Sequence, residues 1–382
     1  MSSPCLFGVL GPHPVHNHPP SGVPDARCPA RSIVALRGSV PSSWVAQFRQ
    51  TQGKLARVYF SQRAQLAALF AELRAGGGGA NSAANADAVT VGDSWLGQAV
   101  AGGLIAPIPL AEASRWLARL PPRWAPLLRR RACDGACCPD APVWGVPYRW
   151  GCVLFAVRTD RAATAGVADW ADLLRPELAR RVAAPDAPRL LLSAALRSLG
   201  VSANCAGLGP LAAAGVSAAQ LRDRLTALRR QLLTQHVEQH LQALAAGDAW
   251  VAIGSSSDLL PFAMRTPGIT VVAPASGTLL WADLWALPAS RAADPSPLLR
   301  QWHEFTTQPA RAEAAAGLKP GASPLLLPPA APADAHSGAP PACFADLERG
   351  VWPRRAVLER SEFMLPLPQA AQDEFAALMA SA

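Results

Sequence analysis

Lysine, tyrosine and long apolar runs are scarce in this sequence. Only two lysines and two tyrosines occur among 382 residues, and 16% of the residues are charged. No uninterrupted apolar run reaches the roughly 18 residues of a membrane-spanning helix, so none is predicted. The net charge of +8 comes almost wholly from arginine, and no aromatic residues alternate with the short arginine runs. We therefore expect no nucleic-acid partner.

Cysteine is also sparse. Eight cysteines, about 2% of the chain, are too few for a disulfide scaffold. Three of them, Cys133, Cys137 and Cys138, share one short segment that has no C-x-x-C pair and no nearby histidine. We interpret them as thiols of a surface loop. A disulfide and a soft-metal site stay open as alternatives.

Apolar residues, in contrast, are abundant. They make up 50% of the sequence and give a mean hydropathy of +0.14, which suffices for a sizeable core in one large or two medium domains. Residues 1–31 differ, because they are rich in proline, glycine and histidine and show no periodicity. We predict a disordered leader there. It lacks the basic start and apolar centre of a secretory signal.

From Ser32 onward, short apolar strands alternate with amphipathic helices, which predicts parallel α/β units. The pattern predicts one long helix over Leu221–Ala246, with His236 and His240 on a solvated face, and a helix after Asp169 with that residue as its N-cap. Residues 254–258 are predicted to form a loop of hydroxyl and N–H donors after a strand. Predicted strands include Ser32–Leu36, Val58–Phe60, Val89–Val91, Cys152–Val157 and an extended Gly277–Pro288.

One carboxylate lies inside an apolar segment. Asp283 is flanked by Trp281 and Trp285 in the extended run. A carboxylate buried alone would carry a large desolvation cost. The sequence therefore indicates that Asp283 either meets a cation or accepts hydrogen bonds from backbone N–H groups where chains cross.

Four motifs in order carry a family resemblance. They are Val143–Gly151, Asp169–Leu173, Ala195–Gly200 and Gly277–Asp283, with a weaker tail at Ser361–Pro366. Their spacing over roughly residues 32–326 resembles the spermidine/putrescine-binding protein family. Members of that family are the substrate-binding components of polyamine ABC transporters.

The resemblance implies a two-lobed α/β fold of the type II periplasmic-binding-protein kind, with a ligand cleft between the lobes. Lobe 1 would hold residues 32–149 and 284–328, and lobe 2 residues 150–283 and 344–382. Residues 329–343 would form a proline-rich loop. The two crossing segments would fall near Arg149–Cys152 and Leu280–Asp283.

The resemblance also implies a role without chemistry: a small cationic amine such as spermidine or putrescine is held between the lobes and passed to an ABC permease. No catalytic residue, cofactor or metal is expected, and the protein is expected to be a monomer. By resemblance it would work in the periplasm; a plastid is the alternative for an algal source. The candidate ligand contacts are Trp281, Asp283, Trp95, Asp93, Tyr148, Asp186 and Ser255.

Several positions depart from the family pattern. Its first-strand aromatics are replaced by Leu36 and Ser39, its acidic pair by Ala187 and Leu190, and a late tyrosine by Leu318. Three arginines near the proposed cleft would repel a polycation. These are Arg37, Arg149 and Arg189.

Two other readings of the function stay open. One is a binding protein for a different solute, such as an anion drawn by the arginines. The other is an enzyme or an orphan interaction protein, for which the Ser255–Ser257 run and Asp258 are the support. Ferric-ion binding is disfavoured, because Tyr59 and Tyr148 are the only tyrosines.

Overall fold

The computed structural model describes most of the chain after the first thirty residues. The described residues are 31–52, 58–79, 81–235, 239–293, 296–308, 311, 323–324 and 355–382. The predicted leader, Leu318 and the proline-rich segment at 329–343 lie outside them. Within the described residues, no helix has the length and apolar character needed to cross a membrane.

The strands form one mixed sheet in the order β2-β1-β3-β10-β5-β8-β6-β7. Short β4 and β11 pair with β10, and β9 pairs with β5. The strands are β1 (Arg31–Leu36), β2 (Val58–Arg63), β3 (Ala88–Gly92), β4 (Ile105–Ala106), β5 (Val146–Arg158), β6 (Val182–Ala184), β7 (Leu232–Gln235), β8 (Val251–Ser255), β9 (Ile269–Val272), β10 (Leu279–Pro288) and β11 (Glu362–Phe363).

Helices cover the faces of this sheet, which confirms the α/β prediction. Short 3₁₀ turns lie at Ala83–Asn85, Ala162–Thr164, Trp170–Leu174, Pro176–Leu178 and Ala289–Arg291. The α-helices are α1 (Ser42–Thr51), α2 (Leu66–Ala75), α3 (Asp93–Ala101), α4 (Leu110–Leu117), α5 (Trp124–Leu128), α6 (Pro188–Ser198), α7 (Leu208–Ala213), α8 (Ala218–Gln231), α9 (Gln239–Ala246), α10 (Ser256–Arg265), α11 (Leu298–Thr306), α12 (Arg355–Glu359) and α13 (Gln369–Ala380).

Strand β5 joins the two halves of the sheet. Its residues 146–152 pair with β10, and from Val153 onward it pairs with β8 and β9 instead. We call the strands on the β10 side the first half and those on the β8 side the second half. The change of partner between Cys152 and Val153 falls at the predicted crossing. The lobe boundaries given above stay a prediction.

The buried side chains form two clusters: one contains the first half together with residues of β5, β6 and β8 from the second half, and the other lies within the second half. Trp285 is fully buried in the first half, where it packs edge-on against Trp302 with ring centres 5.7 Å apart. In the second half, Phe155 meets Trp170 edge-on at 5.1 Å. Edge-to-face contacts of this kind stabilise a core beyond the area they bury.

The segment after residue 354 contributes to both cores. Strand β11 adds to β10, and its Phe363 is buried in the first core. Helix α13 packs on α7 and α8, and its Phe375 is buried in the second core. The same short segment therefore ties the two halves together.

The predicted long helix over Leu221–Ala246 is wrong. Helix α8 starts at a capping box made by Ser217 and ends at Gln231, because the next four residues form β7, whose Leu232 pairs with Val182 of β6. Backbone pairing with a neighbouring strand outweighs local helix propensity here. His236 lies outside the described residues, and His240 is buried rather than solvated.

The predicted loop at residues 254–258 is also wrong. Ser255 ends β8 and caps α10 directly, since its hydroxyl accepts the backbone N–H of Ser257 at 3.2 Å. The N-cap expected at Asp169 is confirmed, with Asp172 completing a capping box.

Candidate ligand-binding site

Asp283 lies at the centre of the first half of the sheet. It is in β10, opposite Arg149 of β5 on one side and Gly92 of β3 on the other. The side chain is 2% exposed. The sheet therefore surrounds this carboxylate with two neighbouring strands.

Arg149 supplies the cation that buried Asp283 requires. Its Nε and Nη2 atoms both donate to Oδ2 of Asp283, at 2.8 and 2.6 Å. Burial of Arg149 lowers the pKa of its guanidinium, but the charge and hydrogen bonds of Asp283 outweigh burial, so that the net shift is upward. The two side chains therefore form a buried ion pair.

Trp281 completes this arrangement. The guanidinium carbon of Arg149 lies 5.1 Å from the centre of the Trp281 ring, a cation–π distance. The indole N–H donates to the carbonyl of Cys152 at 3.3 Å. A Cβ on Gly151 would lie 2.3 Å from the indole, so this ring position requires glycine there. Arg149 thus contacts both residues that the resemblance assigns to a ligand cation.

A second carboxyl group lies beside this pair. Asp93 is the first residue of α3 and is buried, with its carboxylate accepting the N–H groups of Ser94 and Ala282. The pKa of its carboxyl is raised to about 7, mainly by desolvation and in smaller part by the charge of Asp283, while the two backbone hydrogen bonds and the charge of Arg130 oppose the rise. We call Trp281, Asp283, Arg149 and Asp93 together the Asp283 site.

Tyr148 belongs to the interior of the first half. Its hydroxyl donates to Ser39 at 2.8 Å and bonds to Thr90 at 3.1 Å. Its ring stacks on Trp285 with centres 4.2 Å apart. Tyr148 lies at a bulge of β5, between Pro147, which pairs with Leu284, and Arg149, which pairs with Asp283. Ser39, a departure from the family pattern, is therefore a hydrogen-bond partner inside the fold.

The remaining candidates lie on separate elements. Trp95 of α3 is half-buried and packs on Phe70, with ring centres 4.6 Å apart. Asp186 is exposed just before α6, and Ser255 is half-buried at the start of α10. The structure thus groups Trp281, Asp283 and Asp93 closely. Trp95 lies two residues after Asp93 on the same helix, whereas Asp186 and Ser255 lie on two other segments.

The role of Arg149 as a partner was missed from the sequence. Arg149 and Asp283 are lone charges of opposite sign inside two apolar segments, and that was the available signal. The two charges can pair only if their strands are neighbours in the sheet. The order of strands in a sheet is part of the tertiary structure and cannot be seen in the local sequence.

A metal centre finds no support in the described part of the chain. No group of three or more histidine, cysteine or acidic side chains there is arranged to hold a metal ion. Cys133 is exposed, Cys137 and Cys138 are half-buried, and all three are free thiols.

Comparison with known proteins gives the family. Residues 83–345 match the family described as bacterial extracellular solute-binding proteins. The chain belongs to this family. One curated relative is the spermidine/putrescine-binding periplasmic protein of Escherichia coli. It is 29% identical to this chain over 150 residues, which are 38% of this chain and 40% of the relative. The match thus spans about two-fifths of that relative's length.

Solved structures of other proteins are similar to this solute-binding protein over most of its chain. The spermidine/putrescine substrate-binding protein PotD of Streptococcus pneumoniae covers 92% of this chain and 98% of its own, with a TM-score of 0.63 and 14% identity. The protein AgtB of Agrobacterium tumefaciens, in complex with agropinic acid, covers 92% and 97%, with a TM-score of 0.54 and 14% identity. These likenesses confirm the two-lobed fold, and the comparisons give no support to a plastid protein.

Proposed function

We propose that this protein is the substrate-binding component of an ABC transporter, and that its ligand docks at the Asp283 site. Family membership supports the transport role, in which a small solute is held between two lobes and presented to a permease. Closure of the lobes around ligand would supply contacts from both at once. We further propose that it acts as a monomer outside the bacterial inner membrane.

The charge of the site favours a ligand that carries a carboxylate. Asp283 is already neutralised by Arg149, and desolvation holds Asp93 partly protonated at neutral pH. A polyamine would have to displace Arg149 from Asp283 and leave a guanidinium, 11% exposed, without its partner. A small amino acid or organic acid could instead accept hydrogen bonds from Arg149 and keep the ion pair.

The second half adds to this argument. Ala187 and Leu190, which replace the family's acidic pair, line an apolar pocket together with Gln231 and Gln235. The acidic pair that the family uses for the far end of a polyamine is therefore replaced by apolar side chains, with Asp186 as the adjacent carboxylate. The neighbour that binds agropinic acid shows that this fold accommodates a carboxylate-bearing ligand.

A polyamine is the second candidate. The curated relative of Escherichia coli is a spermidine/putrescine-binding protein, and Trp281 with Asp283 is the aromatic–acid pair that an ammonium group prefers. Asp258 also acts on Arg149 electrostatically, so the site is not without negative charge. Under this candidate, Arg149 would move aside when ligand binds.

Titration calorimetry on the full chain separates the two candidates. We expect 4-aminobutyrate or glutarate to bind, and putrescine and spermidine to give no heat. Arg149→Met should abolish carboxylate binding and, by freeing Asp283, create measurable amine binding. Arg222→Met, which removes an exposed arginine of α8 that is not near the proposed cleft, is the matched control and should change neither. Micromolar spermidine binding by the unaltered protein would overturn the carboxylate assignment and favour the polyamine.

The enzyme alternative is not proposed. The serine hydroxyl that suggested it, that of Ser255, is the N-cap of α10 and also bonds to the Ser257 hydroxyl at 2.8 Å. Family members described by the comparisons are binding proteins rather than enzymes.

A further inference from the structure

Arg130 is a buried cation whose surroundings are incomplete. Its side chain has no solvent exposure, and its Nε and Nη2 atoms have no hydrogen-bond partner among the described residues. Unmade hydrogen bonds of a buried charged group are costly. Burial lowers the pKa of Arg130, and the sulfur of Cys137 and the carboxyl of Asp93 oppose that fall.

The remaining nitrogen of Arg130 points at a thiol. Nη1 donates to Sγ of Cys137, and Arg130 and Cys137 face each other across a narrow hairpin. Arg131 closes the same hairpin through its backbone, since its N–H donates to Ala136 at 2.9 Å and its carbonyl accepts from Gly135 at 2.8 Å. The sulfur is therefore held against the guanidinium by backbone geometry.

The hairpin is also fixed from outside. Gly135, at φ +65°, lies so close to α3 that a Cβ there would be 2.0 Å from the carbonyl oxygen of Gly97. Only glycine permits this approach. The position of Cys137 beside Arg130 is thus set by packing on a helix of the first half.

The three thiols of the hairpin differ in their surroundings. Cys133 is the most exposed and lies beside the Arg131–Asp134 ion pair, in which the arginine is already satisfied. Cys137 is less exposed but touches a guanidinium that has hydrogen-bonding capacity to spare. A neighbouring cation stabilises a thiolate, which is the form that attacks electrophiles.

We propose that Cys137 is a modification site for low-molecular-weight disulfides, with Arg130 as the cation beside its sulfur. In the reaction, Cys137 gives its proton to water and its sulfur attacks one sulfur of the disulfide. The new Cys137–S bond forms as the original S–S bond breaks, and the released thiolate takes up a proton. Cys137 is oxidised to a mixed disulfide, and half of the reagent is reduced to a thiol.

The test uses oxidised glutathione on the full chain, with the modified cysteines quantified by peptide mass spectrometry over time. We expect Cys137 to react about tenfold faster than Cys133, although Cys133 is more exposed. Equal or faster reaction at Cys133 would overturn the proposal. This comparison needs no variant, because the two thiols lie on one hairpin of the same molecule.

Two variants isolate the arginine. Arg130→Gln should bring the rate at Cys137 down to that at Cys133, and Arg130→Lys should restore part of the difference. Arg119→Gln is the matched control, because it removes an exposed arginine outside the hairpin and should leave the rate ratio unchanged. A ratio that survives Arg130→Gln in a protein with an unaltered melting temperature would exclude Arg130 as the cause.

Discussion

Arg149 and Arg130 are both buried arginines of the first half, and the structure treats them differently. Arg149 meets a carboxylate from the neighbouring strand and lies over an indole ring. Arg130 meets a thiol from its own hairpin and keeps two nitrogens without a partner in the described part of the chain. Accordingly the pKa of Arg149 is raised and that of Arg130 is lowered.

The difference shows that burial alone does not define a binding site. The guanidinium of Arg149 is held in place by its carboxylate partner and can donate hydrogen bonds to a ligand. The guanidinium of Arg130 has two nitrogens without a partner among the described residues and therefore favours a nearby anion. Asp93 lies close enough to Arg130 and to Asp283 for both charges to affect the pKa of its carboxyl. Substitutions at these positions test the difference between the two arginines.

Asp283→Asn should have the largest effect. It leaves the Arg149 guanidinium buried without its counter-ion, so we expect the free energy of unfolding to fall by about 3 to 5 kcal/mol. Chemical denaturation of both proteins measures this difference in the free energy of unfolding. The double variant Arg149→Met with Asp283→Leu should recover most of the loss, because no charge is then left unpaired. A loss of less than about 1 kcal/mol for the single variant would show that the pair is not coupled in solution.

The pH dependence of Asp93 should come next. The pKa of its carboxyl is about 7 in the fold and about 4 when unfolded, so the folded state holds a proton that the unfolded state releases. Stability from this group is complete below about pH 4 and should be lost at about 1 kcal/mol per pH unit as the pH rises to 7.

Asp93→Asn should remove that slope. His303, whose pKa burial lowers to about 3, contributes an opposite slope to both proteins, so the difference between the two isolates Asp93. Parallel curves for the two proteins between pH 4 and 7 would contradict the raised pKa of Asp93.

Arg130→Met should have the smallest effect. It removes a buried charge together with its unmade hydrogen bonds, so we expect the free energy of unfolding to change by less than about 1 kcal/mol. Denaturation beside the Asp283→Asn variant gives a direct ranking. A loss as large as that of Asp283→Asn would mean that Arg130 has a partner as strong as a carboxylate.

The sequence predicted the fold better than the partners within it. Alternating apolar segments predicted α/β units, and the family resemblance carried by four ordered motifs implied the two lobes. The apolar neighbours of Asp283 indicated that it meets either a cation or backbone N–H groups. That Arg149 meets it did not follow, because the register of β5 against β10 joins residues 134 positions apart. Local sequence patterns do not predict which distant residues pair across neighbouring strands.

The two errors along the chain have different causes. Residues 232–235 continue a helical pattern but pair with β6, and residues 254–258 look like a loop but start a helix. Pairing with β6 decided the first place, and in the second the Ser255 hydroxyl caps the helix that begins at Ser256. His240, expected in solvent, is buried.

The segment at residues 355–382 has a consequence for how this protein is made. Domains of a growing chain usually fold one after another as they emerge from the ribosome. Here Phe363 belongs to one core and Phe375 to the other, so neither core has all of its side chains until this segment has been synthesised. We expect both cores to reach their final packing together, once the segment has left the ribosome.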